Sequence, residues 1–124
     1  MPSKTKGTNA ERELVHLLWK HKHPAVRVAG SGSSTYPSPD VVASINSKTY
    51  AIEVKSIKEK TKYLKDKEIE DLILFAEMFN AIPIVAVKKK REGWFYASIK
   101  DLKKTPKGFS TTNLTPIKKL IQKS

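Results

Sequence analysis

The stretch Pro39-Asp40-Val41-Val42-Ala43-Ser44-Ile45-Asn46-Ser47-Lys48-Thr49-Tyr50-Ala51-Ile52-Glu53-Val54-Lys55-Ser56 decides the fold. Two runs rich in β-branched and apolar residues, Asp40 to Ile45 and Lys48 to Ser56, flank the pair Asn46-Ser47. A two-residue connection of this kind predicts an antiparallel hairpin. With Ile45 paired to Lys48, Asp40 falls opposite Glu53, their β-carbons about 4.5–5.5 Å apart on one face. Lys55, two residues on, shares that face, while Ile52 and Val54 point the other way into a core.

Two carboxylates that close repel each other unless a cation or a shared proton lies between them. A hard, oxygen-ligated ion such as Mg²⁺ prefers carboxylates, waters and phosphate. Such an ion lowers the pKa of water and polarises a phosphodiester, and a nearby lysine offsets charge that builds on the phosphorus. The residue types therefore suit hydrolysis of a phosphodiester. The same residues would equally make a plain cross-strand ion pair on a wet sheet face.

Outward from the hairpin, Gly30 to Ser38 is a loop rich in Gly, Ser and Pro, and Ala25 to Ala29 reads as a short strand. Met1 to Gly7 reads as a basic arm. Thr8 or Asn9 is placed to cap a helix that runs to about Lys22, with Leu14, Leu17 and Leu18 on its apolar side. Glu11 and Glu13 suit the positive end of that helix, and Glu11 is also a candidate third acid. Ser31, Ser33 and Ser34 are candidate phosphate contacts, or simply loop residues. Beyond the hairpin, Lys58 to Lys65 is a polar connection. Asp66 to Asn80 has helical spacing at Ile69, Leu72, Ile73, Ala76 and Phe79. Ile82 to Val87 and Trp94 to Ser98 read as strands and Pro116 to Lys123 as a short basic helix. The order αβββαββα predicts a single α/β domain over residues 1–124, a central mixed β-sheet flanked by helices.

Composition narrows the partner. Lys and Arg number 24 against 12 acids, a net charge of +12, and 21 of the basic residues are lysine. The excess suits either a polyanion or a soluble, heat-adapted surface, and nucleic acid is the favoured reading. Lysine is a point charge suited to phosphates, so the balance points to backbone and shape recognition rather than base reading. There is no cysteine, which excludes disulfides, zinc thiolates and thiol catalysis. No run approaches the roughly 20 apolar residues of a membrane helix. The first fifteen residues carry both charge signs and no apolar stretch, unlike a signal peptide, so an intracellular, nucleoid-associated protein is expected. Of the three histidines, His16, His21 and His23, the last two lack the spacing of a helical metal pair and are expected at the surface or as helix C-terminal partners. Trp19, Phe75, Met78, Phe79, Trp94, Phe95 and Tyr96 form a large apolar set, some of it free for a dimer contact. Tyr36 and Tyr63 are packing residues or base-stacking candidates.

The segment Gly7-Thr8-Asn9-Ala10-Glu11-Arg12-Glu13-Leu14-Val15 resembles the opening helix of archaeal Holliday junction resolvases (Hjc/Hje-like). Arg27, Ser31 with the serine-rich loop, Pro39-Asp40 and Glu53-Val54-Lys55-Ser56 resemble that family's motifs in order and spacing, over roughly residues 6 to 90. The resemblance implies a restriction-endonuclease-like PD-(D/E)xK nuclease fold and a Mg²⁺-dependent endodeoxyribonuclease, with Mn²⁺ as a substitute. It further implies a homodimer that makes paired incisions in a four-way DNA junction. By position it implies Glu11, Asp40 and Glu53 as acidic metal ligands with the Val54 carbonyl, Lys55 as the catalytic lysine and Ser31 as an active-site serine. Lys4, Lys6, Arg12, Arg27, Ser31, Ser33, Ser34, Lys58, Lys60 and Lys62 would then contact DNA. The family often has Gln where this chain has Glu68. No motif identifies a sliding-clamp partner. The alternatives are another nuclease of the same fold acting on linear or damaged DNA, and a non-catalytic basic nucleic-acid-binding protein.

Overall fold

The computed structural model describes residues 2–30, 35–58 and 63–122, with side chains in the first helix from residue 8 onward. The hairpin forms in the expected register. β2 (Val41–Ile45) and β3 (Lys48–Ile57) pair antiparallel, Ile45 against Lys48 and Val41 against Ile52. Asn46 and Ser47 both have left-handed backbones, φ 52° and 70°, as a two-residue turn that follows the strands' twist requires.

β3 is the centre of a six-stranded sheet in the order β1-β2-β3-β5-β6-β9. β1 (Ala25–Arg27) lies against β2, and β5 (Ile82–Lys89) runs parallel to β3. β6 (Gly93–Ser98) and β9 (Thr115–Pro116) are antiparallel additions. Among the described residues only the β3–β5 pair is parallel, so a crossover must join it. That crossover carries α2 (Asp66–Phe79). The sheet is therefore mixed and flanked by helices, as expected.

The strand period of two divides the core. Ile52 and Val54 face α1 (Pro2–Lys20), packing with Leu14, Leu18, Ile117 and Ile121. Ala51 and Ile57 face α2, packing with Ile69, Leu72 and Ala76. Glu53 and Lys55 lie on this second face, at the end of the sheet nearest the start of α2. That start has a capping box, in which Glu68 accepts the Lys65 backbone N–H at 2.9 Å. Asn80, in the left-handed region, closes the helix.

Several expectations need correction. α1 begins at Pro2, not at Thr8 or Asn9, so residues 2–7 belong to the helix and are not a separate arm. Proline fits the first turn because no helical carbonyl awaits its missing N–H. Glu11 and Glu13 consequently lie past the first turn, and the dipole reading lapses. Glu13 instead bonds Lys88, and its Oε2 accepts the Trp94 indole N–H at 3.3 Å. His23 is buried, its Nε2 2.8 Å from the Ile121 carbonyl, while His21 is exposed as expected.

The largest difference is C-terminal. A single 3₁₀ turn (Ile99–Asp101) leads into β7 (Lys103–Thr105) and β8 (Gly108–Ser110). With β4 (Tyr63–Leu64) they form a second, three-stranded sheet in the order β4-β8-β7. Strands of two or three residues show no alternation to read, and this pairing is long-range. The expected last helix shrinks to α3 (Lys118–Ile121), because Thr115-Pro116 is spent as an edge strand against Phe95 and Tyr96.

Candidate active site

Asp40 is pinned before it does any chemistry. Its backbone N–H donates to the Ile52 carbonyl at 3.0 Å, and its carbonyl accepts from Val28 N–H at 2.8 Å. Its side-chain Oδ2 accepts the Val54 N–H at 2.9 Å. The carboxylate therefore lies across the hairpin beside Glu53. Glu53 has 16% of its side chain exposed, and burial is the main reason that its pKa is pushed up to about 8. The Asp40 charge adds to the rise, Lys55 opposes it, and Glu68 and Glu11 add further repulsion.

Lys55 sits between acids, with Nζ 2.7 Å from Glu68 Oε2 and 3.8 Å from Glu53 Oε2. Burial alone would lower its pKa, but the Glu68 hydrogen bond and charge, with Glu53 and Asp40, outweigh burial and raise it. Glu68 is lowered in turn: burial works against ionisation, but the Lys55 and Lys65 hydrogen bonds overcome it. Thus Glu68 takes up a polar role at the position where the resembled family often has Gln. One of its oxygens caps α2 and the other holds Lys55.

Glu11 comes from α1, which packs on the opposite face of the sheet. Its carboxylate lies 3.5 Å from Arg27 of β1. Burial and the Asp40 charge raise its pKa, with Arg27 opposing them, so it feels the same negative field. Among the described residues no three His, Asp or Glu side chains converge on one point. Asp40 and Glu53 are the pair brought together, and Glu11 stands outside that pair, turned to Arg27. The backbone carbonyl of Val54 belongs to the same strand end. Arg12 and Lys58 are exposed. Ser31, Ser33, Ser34, Lys60 and Lys62 lie outside the described residues, as do the side chains of Lys4 and Lys6.

A cleft of about 380 Å³ opens over these acids, bordered by Asp40, Glu53, Glu68 and the loop residues Tyr36 and Ser38. It is large enough for a phosphodiester with its waters. Ser38 was not singled out in the sequence. Its Oγ is buried and has no hydrogen-bond partner among the described residues. Its placement between Pro37 and Pro39, two residues before Asp40, was the available signal.

Residues 2–123 match the family model for archaeal Holliday junction resolvase (Hjc). The chain is 48% identical over 107 residues to the crossover junction endodeoxyribonuclease Hjc of Archaeoglobus fulgidus, covering 86% of this chain and 78% of that protein. It is 33% identical over 88 residues to the crossover junction endodeoxyribonuclease of Sulfolobus islandicus rod-shaped virus 1, covering 68% of this chain and 73% of that one. Its structure superposes on the 1.6 Å structure of Archaeoglobus fulgidus Hjc, a Holliday junction resolvase from an archaeal hyperthermophile, with a TM-score of 0.83 and 39% identity. That match covers 89% of this chain and 94% of the other and bears out the restriction-endonuclease-like α/β fold.

Proposed function

The chain belongs to the archaeal Holliday junction resolvase family, and from that premise we propose that it is a Mg²⁺-dependent endodeoxyribonuclease that resolves four-way DNA junctions as a homodimer inside the cell. The observation that carries the reading is the pairing of Asp40 with a largely buried Glu53 whose pKa is pushed up to about 8. Carboxylates forced together in this way, with the Val54 carbonyl beside them, suit a hard divalent cation, with Mn²⁺ as a substitute. Such an ion supplies the means to lower the pKa of a water and to polarise the scissile phosphate.

The chain's own residues divide the remaining work. Lys55, protonated and held at 2.7 Å by Glu68, is a fixed positive charge for the phosphorane as negative charge builds there. Being protonated, it is not the base that takes the water's proton. Glu11, paired with Arg27 at 3.5 Å, adds charge within the field of Asp40. Lys4, Lys6, Arg12, Arg27, Lys58, Lys60, Lys62 and the serines 31, 33 and 34 remain the proposed DNA contacts.

The homodimer draws support from α2. Its outer side carries Leu74, Met78 and Phe79, exposed by 45%, 82% and 52%, and the Phe75 ring stacks on Phe79 with centroids 4.9 Å apart. An apolar strip of this kind on a charged surface suits association. A stacked four-way junction is nearly two-fold symmetric, so a two-fold dimer sets identical sites on equivalent strands.

Glu53→Gln tests the assignment. It keeps the side chain's shape, so junction binding should persist while Mg²⁺-dependent cleavage falls by at least a hundredfold. Cleavage at the wild-type rate would remove Glu53 from the chemistry.

A further inference from the structure

Residues 102–124 hold six lysines and no acid, half of the chain's net +12. Three of these lysines, Lys103, Lys104 and Lys107, fall on the β7–β8 hairpin, in a short span that the fold holds rigid. Thr105 Oγ1 donates to the Gly108 carbonyl at 3.0 Å and accepts the Lys107 N–H at 3.2 Å. Pro106 restricts the turn between them. At Gly108, φ is +129°, and a β-carbon there would lie 2.3 Å from the Leu64 carbonyl oxygen. Only glycine lets β8 close this tightly on β4.

The pairing gives the hairpin two faces. Leu64, Phe109 and Lys104 share one, against the core and α2. Lys104 reaches Asp66 at 3.3 Å, two residues before Glu68. Tyr63 and Lys103 share the other face, and the Lys107 ammonium lies 5.8 Å over the Tyr63 ring. Tyr63, Lys103 and Lys107 are all exposed. The hairpin packs on the side of the main sheet that bears Glu53 and Lys55, beside the first turn of α2. A lysine excess that served solubility alone would gain nothing from this locked geometry.

We propose that the outer face of the β7–β8 hairpin, Lys103 and Lys107 beside Tyr63, binds the phosphate backbone of a duplex arm leaving the cleft. This rests on the junction-resolving reading above and adds to it a surface outside the active site. Lysines carried on a fixed backbone hold phosphates at a lower ordering cost than those on a mobile segment. The contacts carry register and affinity rather than sequence.

The test compares wild type, Lys103→Ala/Lys107→Ala, Lys103→Arg/Lys107→Arg and a charge-matched control, Lys118→Ala/Lys119→Ala. The control lysines sit on α3, on the opposite side of the sheet. The readout is junction affinity as a function of salt. Losing two phosphate contacts should weaken binding on the order of tenfold or more near 0.1 M salt and flatten the log–log salt slope by roughly two. The arginine variant should bind like wild type, and the α3 control should keep the wild-type slope. An unchanged slope in the hairpin variant, or an equal loss in the α3 control, overturns the proposal. If wild type itself neither binds nor cuts a junction, the functional reading has failed instead.

Discussion

At the residue scale the site is a problem in charge. Glu53 is buried beside Asp40, and the folded state holds its proton up to about pH 8. An unfolded glutamate releases its proton near 4.5. Between those values the folded state binds more protons than the unfolded one, so stability falls as pH rises through this window. In EDTA the melting temperature of the wild type should therefore drop between pH 5 and pH 8 relative to Glu53→Gln, and added Mg²⁺ should restore more at pH 8 than at pH 5. Parallel curves for the two proteins would contradict the buried-carboxylate account. Lys55 makes the opposite case. Its ammonium is stabilised by Glu68 first and Glu53 next, against its burial. Lys55→Ala should lower kcat by at least a hundredfold with a much smaller change in junction Kd, measured by single-turnover cleavage and titration.

At the element scale the hairpin shows what local sequence can specify. Two β-branched runs around Asn46-Ser47 fixed the register, and with it the meeting of Asp40 and Glu53 and the inward direction of Ile52 and Val54. Ser47 has φ 70°, a conformation in which a β-carbon is a burden. Ser47→Gly should therefore stabilise the protein by about 0.5 kcal/mol in denaturant unfolding. The Glu68–Lys55 contact was less legible, since it joins a strand to a helix start and depends on which face of the sheet α2 covers. The β4-β8-β7 sheet was not legible at all. Lys103-Lys104-Thr105 and Gly108-Phe109-Ser110 have no strand alternation; the first pairs with the second, and the second is ordered by pairing with Tyr63-Leu64, about 45 residues away. Gly108 was the available clue, and only the close approach to Leu64 explains it. Gly108→Ala should cost at least about 1–3 kcal/mol by the same measurement.

At the scale of the whole molecule, the described residues gather one pair of acids, Asp40 and Glu53, while the proposed reaction requires two coordinated cuts. In the proposed homodimer, the exposed Leu74, Met78 and Phe79 strip on α2 is the surface expected to bring two sites together. Met78→Asp/Phe79→Asp should shift the protein from dimer to monomer in sedimentation and replace paired incisions by single nicks. A variant that stays dimeric would place the interface elsewhere. His23, which reads as a surface histidine in the sequence, instead ties the end of α1 to α3 through the Ile121 carbonyl, a contact 98 residues apart in the chain. Long-range closures of this kind are what pattern reading misses. The charge excess, in contrast, is a property of the entire chain and was visible from composition alone.

The most direct test of the central claim is cleavage of an end-labelled four-way junction by the purified protein, beside a linear duplex of the same sequence, each with Mg²⁺ and with EDTA. Paired, symmetric nicks are expected in the junction only, and only with the metal. Equal cutting of the duplex, or cutting that persists in EDTA, would contradict it.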